Sequence, residues 1–175
     1  VAASYDLGSS LLFAGVHEGH SLPGPSSSLA EETSLGFEIG LKSKGESSFF
    51  YEVAYFNTQF EDMIIYPSVG SGTSTESNVG EASTSGFEVL VGTELGLEGV
   101  RVPLEAALTF TNAEFDTTMD GASDDAENRY DNATAGNKLP FIPDFQLNIR
   151  AGLEFEKLST YLNYHWQDEV YVNGS

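Results

Sequence analysis

His17, Glu18 and His20 stand within four positions of one another, between Gly15-Val16 and Ser21-Leu22-Pro23-Gly24-Pro25. Imidazole and carboxylate groups ligate metals and form charged hydrogen bonds, so these residues could coordinate an ion or touch a bound ligand. The spacing is not that of His-Glu-x-x-His, so a metalloprotease helix is not indicated. The surrounding glycines and prolines also argue against a helix, which makes an ordinary polar loop the plain alternative. A second concentration of chemistry is acidic: Asp116, Asp120, Asp124, Asp125, Glu127 and Asp131 crowd one stretch. Oxygen ligands of this kind suit Ca²⁺ or Mg²⁺, but the EF-hand spacing and its closing glutamate are missing, so no metal site is assigned. A solvated loop bridged loosely by divalent cations is the simpler reading. The third set is dispersed: Glu38, Glu88, Glu105, Arg150 and Glu154, with Glu52 and Glu94. A hydrolase would use two such carboxylates as acid and base. No histidine or nucleophile is positioned with them, so no catalytic residue and no cofactor are expected.

The elements that carry these residues read with period two, which is the signature of strands. In Phe145–Phe155, Phe145, Leu147, Ile149, Ala151, Leu153 and Phe155 fall on one face, against Gln146, Asn148, Arg150, Gly152 and Glu154. Leu35, Phe37, Ile39 and Leu41 alternate with Ser34, Gly36, Glu38, Gly40 and Lys42. Phe87, Val89, Val91, Thr93 and Leu95 alternate with Gly86, Glu88, Gly92 and Glu94, interrupted by Leu90. Val102, Leu104, Ala106, Leu108 and Phe110 alternate with Pro103, Glu105, Ala107, Thr109 and Thr111. Three further segments are less regular: Tyr5–His17, with Leu7, Leu11 and Phe13 on one side; Ser48–Ile65, aromatic on both faces; and Leu158–Trp166. The expectation is therefore seven strands, all antiparallel, and no helix.

Composition limits what such a sheet can do. Seven Lys+Arg against 27 Asp+Glu give a formal net charge of −20, which repels phosphate backbones and excludes nucleic acid as a partner. Cysteine is absent, which removes disulfides and thiolate metal sites. No stretch approaches the roughly 18 apolar residues of a membrane helix. A barrel strand needs only about ten alternating residues, however, and that pattern averages out in any hydropathy window. Aromatic residues at 12% and 18 glycines suit such strands, with Trp166, Tyr164, Tyr55 and Phe110 as candidates for girdles at the membrane surface.

The connections alternate in length. Short ones fall at Ser43-Lys44-Gly45-Glu46, around Glu98-Gly99-Val100 and at Glu156-Lys157; long ones run His17–Glu32, Tyr66–Ser83 and about Asn112–Pro143. Outer-membrane barrels have short turns on one side and long loops on the other, a rule that soluble sandwiches have no reason to obey. The fold expected is an all-β, antiparallel up-and-down transmembrane β-barrel fragment. Seven strands do not close a membrane barrel, and an open edge in lipid leaves backbone groups unpaired, so a piece of a larger barrel is expected. A small closed barrel with a structural or adhesive role and a soluble acidic β-sandwich binding module are the competing readings.

Four short segments carry a family resemblance. Glu31-Glu32-Thr33-Ser34-Leu35-Gly36-Phe37-Glu38-Ile39-Gly40-Leu41-Lys42, the aromatic run from Phe50 to Ile65, Asn78-Val79-Gly80-Glu81-Ala82 followed by Gly86-Phe87-Glu88, and Leu139-Pro140-Phe141-Ile142-Pro143 occur in that order. Together they resemble TonB-dependent receptors of the bacterial outer membrane, over essentially the whole chain. Within that family, Gly15–Pro25 is similar to a loop of ferric citrate-type receptors. The resemblance implies that residues 1–175 are the C-terminal part of a 22-stranded barrel whose plug domain is absent from this chain. It implies an iron chelate as substrate, ferric citrate or siderophore-like, contacted in the outer loops by His17, Glu18 and His20. It implies Glu38, Glu88, Glu105, Arg150 and Glu154 facing the lumen, and outer-membrane lipid and lipopolysaccharide as surroundings. Energy would arrive from the TonB complex through the plug.

Overall fold

The computed structural model describes residues 1–25, 28–45, 48–65, 77–78, 80–118 and 134–172. The described residues form ten strands and no helix: β1 (Ala2–Asp6), β2 (Ser10–Ser21), β3 (Glu32–Ser43), β4 (Phe49–Glu61), β5 (Ile64–Ile65), β6 (Ser77–Asn78), β7 (Ala82–Leu97), β8 (Val100–Phe115), β9 (Phe145–Glu154) and β10 (Ser159–Gln167). Eight of them make one antiparallel sheet in the order β1-β2-β3-β4-β7-β8-β9-β10, a meander in which each strand lies beside its neighbour in sequence. The short β5 and β6 pair with each other inside the connection between β4 and β7. β1 and β10 are the two edges of the large sheet.

Two boundaries differ from the sequence reading. Tyr5–His17 is not one strand but the hairpin β1–β2, which raises seven strands to eight. The chain reverses at Leu7-Gly8-Ser9, where Gly8 has φ +89°, a value that glycine reaches without a Cβ penalty. The Asp6 carboxylate accepts the Gly8 amide at 2.7 Å, and the Leu7 amide donates to the Ser10 carbonyl at 2.9 Å. Period counting missed this turn because apolar residues flank it on both sides. At its other end β2 continues through Ser21, paired with Glu32 of β3, so His17–Ser21 are strand and not loop.

Register sorts the side chains onto two faces. Thr109, Ala107 and Glu105 of β8 oppose Gln146, Asn148 and Arg150 of β9, and these in turn oppose Gln167, His165 and Asn163 of β10. The intervening residues, Leu108, Ala106 and Leu104 with Leu147, Ile149 and Ala151, share the other face with Trp166, Tyr164 and Leu162. The same alternation runs back to β1, with Val53, Val89, Ile39 and Leu41 on the apolar face. Among the described residues no second layer covers that face. Ile149 is 42% exposed, Phe87 53% and Leu162 72%, while the buried apolar residues among those described are Ala54, Ile64, Ala82, Ala113, Phe115 and Leu139. A sandwich would bury this face against a partner sheet, so the soluble alternative does not fit.

Across the apolar face runs a belt of rings. Phe37 and Tyr55 lie 5.8 Å apart, Tyr55 and Phe87 5.0 Å, Phe110 and Phe145 4.9 Å, and Phe145 and Trp166 5.2 Å; Phe87 and Phe110 are cross-strand partners. Towards the long connections, the same face turns polar at Asn57, Ser85 and Asn112, then at Gln59, Ser83 and Glu114. Towards the short turns it stays apolar as far as Leu97. From Phe87 to Leu97 is about 33 Å of strand at the usual rise. At the roughly 40° tilt of barrel strands this gives about 25 Å of height, the thickness of the apolar band of an outer-membrane barrel.

Candidate functional site

The polar face holds most of the charged and hydrogen-bonding groups, and its local geometry rests on glycines set opposite rings. A Cβ added to Gly40 would meet the Phe13 ring at 2.3 Å, one on Gly92 the Phe50 ring at 2.2 Å, and one on Gly36 the His17 imidazole at 2.1 Å. Gly152 is covered in the same way by Tyr161. Each ring therefore occupies the space left by a cross-strand glycine, where a backbone without a Cβ allows close approach.

Glu38, Glu88, Glu105, Arg150 and Glu154 all stand on this face. Glu38 is opposite Gly15 and Phe56, Glu88 opposite Ala54 and Thr109, and Glu105 opposite Gly92 and Arg150. Glu154 accepts from Arg101 at 2.6 Å and from the Tyr161 hydroxyl, while Arg101 also reaches Glu94 at 3.5 Å. The Arg150 guanidinium lies 4.3 Å from the Tyr161 ring centroid, a cation–π arrangement. Near the short turns, Lys44 pairs with Asp6 and so links the β1–β2 turn to the β3–β4 turn.

Beside these charges lies a row of polar groups that the sequence reading did not single out. The His165 Nδ1 is 2.8 Å from Asn148 Oδ1, and its Nε2 is 3.3 Å from Gln167 Oε1. With Asn163, Glu105 and Arg150, His165 and Asn148 line an open depression of about 270 Å³. In Leu158–Trp166 the sequence sets Leu158, Leu162, Tyr164 and Trp166 against Tyr161, Asn163, His165 and Gln167, which puts His165 on the polar row. What the sequence could not supply was the register that sets it against Asn148.

The histidine cluster does not converge. His17 is on the polar face, opposite Gly36, whereas Glu18 and His20 are on the other face, opposite Leu35 and Thr33. Neighbours on a strand point to opposite sides, so once residues 17–20 are strand the three side chains cannot share one ion. His20 Nδ1 instead lies 3.0 Å from Glu31 Oε1. Among the described residues no three His, Cys, Asp or Glu side chains come together as a metal site. Of the acidic stretch, Asp116 accepts from the Ser83 hydroxyl at 3.0 Å; Asp120, Asp124, Asp125, Glu127 and Asp131 lie outside the described residues.

A one-layer antiparallel meander with a bare apolar face of bilayer height, a ring belt and a polar inner face defines the wall of a transmembrane β-barrel. Residues 3–175 match the family model described as "TonB dependent receptor-like, beta-barrel", and the chain belongs to this family of the bacterial outer membrane. Among solved structures it is similar to the FrpB iron transporter from Neisseria meningitidis (F3-3 variant), at 12% identity and a TM-score of 0.63. It is also similar to the copper transporter OprC, at 19% identity and a TM-score of 0.64. In both cases the match covers 94% of this chain and 25% of the other, so the chain spans about a quarter of the length of these structures. No curated protein matches it.

Proposed function

We propose that this chain supplies barrel wall and outer rim to a receptor that takes up an iron chelate, ferric citrate or siderophore-like, across the outer membrane with energy from TonB. The observation that carries the reading is the family match over residues 3–175, on a sheet that remains open at β1 and β10. An open edge in hydrocarbon leaves unpaired N–H and C=O groups at several kcal/mol each, so further strands complete the wall. That favours a segment of a 22-stranded barrel over a small closed one with an adhesive role. A plug domain outside this chain fills the lumen and carries the contact to TonB. The polar face with Glu38, Glu88, Glu105, Arg150 and Glu154 lines that lumen, and the apolar face meets lipid, with lipopolysaccharide around the polar zone above the ring belt. The names of the two similar structures, an iron and a copper transporter, agree with metal uptake in general. The likeness of Gly15–Pro25 to ferric citrate-type receptors is what favours an iron chelate within that class. Of the histidine cluster, His17 is the residue placed to meet a ligand inside the barrel, whereas Glu18 and His20 face outward.

The test is binding of the full-length protein, in detergent or nanodiscs, to a panel of ferric chelates that includes ferric citrate, followed by uptake in cells with and without TonB. Saturable binding of one chelate and TonB-dependent uptake are expected. Binding of none, or uptake that continues unchanged without TonB, would overturn the reading.

A further inference from the structure

We propose that the three long connections are latched to one another at their bases, Asn78 joining the first to the second and Thr117 the second to the third. This inference goes beyond the transport reading and does not depend on which ligand is carried.

Asn78 sits in β6 opposite Ile64. Its Oδ1 accepts the Ala30 amide at 2.9 Å, and its Nδ2 donates to the Ala30 carbonyl at 3.2 Å and to the Asp62 carbonyl at 2.7 Å. The carboxamide thus behaves as one more peptide group for Ala30, satisfying its donor and its acceptor together, and holds Asp62 with the remaining N–H. Only an amide side chain offers an acceptor and two N–H donors together, and glutamine would place them one methylene too far out. Ala30 belongs to the connection between β2 and β3, and Asp62 to that between β4 and β7. Asp62 has φ +54°, a left-handed conformation that a non-glycine residue adopts at a cost, and its carbonyl is the one Asn78 holds. A second tie runs the same way: Glu32 Oε2 accepts the Ile64 amide at 2.8 Å.

The other joint is built on Gly80 and Thr117. Thr117 Oγ1 accepts the Glu81 amide at 2.9 Å, and the Asp116 amide donates to the Glu81 carbonyl at 2.9 Å. Gly80 has φ +103°, and a Cβ there would lie 2.0 Å from Thr117 Oγ1, so glycine is what lets the hydroxyl close on this backbone. Beneath both joints Ala82, Ala113, Phe115 and Leu139 are buried, with Met63 and Ile142 packed against them. The amides of Phe115 and Leu139 donate to the carbonyls of Asn137 and Ala113, which fastens the start of the Leu139–Pro143 segment to β8. Asn78, Gly80 and Ala82 therefore have three separate jobs in one latch: a clamp, a clearance and a floor.

Hydrogen exchange of the full-length protein in lipid nanodiscs, without ligand, tests this. In Asn78→Ala the Ala30 amide is expected to exchange about tenfold faster, the loss of one hydrogen bond. The Glu81 and Asp116 amides and the strand amides of residues 104–110 should hold their rates. Thr117→Val should do the converse, freeing the Glu81 amide and leaving that of Ala30 protected. Asn78→Asp keeps an acceptor for the Ala30 amide but sets an oxygen in place of the N–H donors against the Ala30 and Asp62 carbonyls, so it should protect that amide less well than asparagine does. An unchanged Ala30 rate in Asn78→Ala, or an equal rise across all three connections in either Asn78→Ala or Thr117→Val, would overturn the latch. Should Asn78→Ala not fold, Thr117→Val separates a latch from general loosening by the same exchange rates.

Discussion

Asn148 and Ile149 are consecutive in β9, equally part of the same hydrogen-bonded ladder, and they face two different solvents. Asn148 lies beside His165 among amides and charges; Ile149 sits about 10 Å below the ring belt, near the middle of the apolar band, by the same strand rise and tilt. The backbone treats them alike, so any difference in what each position tolerates reports the medium outside the protein. In a soluble fold both faces would be judged by packing or by water. Here none of the described residues packs as a second layer on the apolar face, and hydrocarbon does what a core would do elsewhere.

The largest break in that comparison should come from Ile149→Arg. Placing a guanidinium near the bilayer midplane is expected to cost about 2–4 kcal/mol of folding free energy in the full-length protein refolded into vesicles. Asn148→Arg, one residue away on the wet face, should cost a small fraction of that. Equal losses at the two positions, measured by denaturant titration, would mean that the facing is wrong.

Next in size is a comparison within the polar face. Gly86→Ala puts a Cβ 1.9 Å from the Phe110 carbonyl oxygen, a backbone atom that cannot move aside, and 2.7 Å from the Phe56 ring. Overpacking of this kind is expected to cost about 1–3 kcal/mol. Gly96, on the same strand and face, has nothing within 4 Å of its notional Cβ, and Gly96→Ala should be close to neutral. Similar destabilisation of both variants would show that the clearance for Phe110 and Phe56 does not decide the glycine positions.

Trp166→Ala probes the belt. It removes the ring that lies 5.2 Å from Phe145, and aromatic pairs contribute about 0.5–1.5 kcal/mol beyond the area they cover. The loss should be larger in vesicles than in detergent micelles, whose headgroup interface is not held at a bilayer's fixed height. The same loss in both media would assign Trp166 to ring contact alone.

How much of this is legible in the sequence differs between the two faces. The apolar row around Ile149 and the short–long alternation of the turns are plain there, because period two and chain length are local properties. The hairpin at Gly8 is not, since Leu7, Leu11 and Phe13 read as one stripe although Leu11 and Phe13 belong to the polar face. Rings there are explained by the glycines they cover, and a glycine two strands' length away in sequence is invisible to any window. The histidine cluster misleads for the same reason. His17, Glu18 and His20 look convergent only while the segment is taken for a loop, and pairing with β3 separates them. Asn78, Gly80 and Ala82 stand out as a pattern, but Ala30 and Thr117, the groups that explain two of them, lie far away along the chain.

The smallest expected effect sharpens the comparison most. Arg101 bridges Glu94 at 3.5 Å and Glu154 at 2.6 Å, yet its side chain is 62% exposed. Exposed ion pairs contribute at most about 1 kcal/mol and are screened by salt. Arg101→Gln should therefore lower the unfolding free energy by less than about 1 kcal/mol, and the difference should shrink further between 50 mM and 500 mM salt, at roughly 14 Å and 4 Å of screening length. A loss approaching that of Ile149→Arg, insensitive to salt, would mean that water does not reach this part of the polar face. The wall would then be closed off on both sides, with Arg101 serving as a desolvated tie between the inner surface and whatever fills the barrel. A small, salt-screened loss keeps the two faces of the sheet as different as Asn148 and Ile149: charge is cheap to remove on one and costly to add on the other.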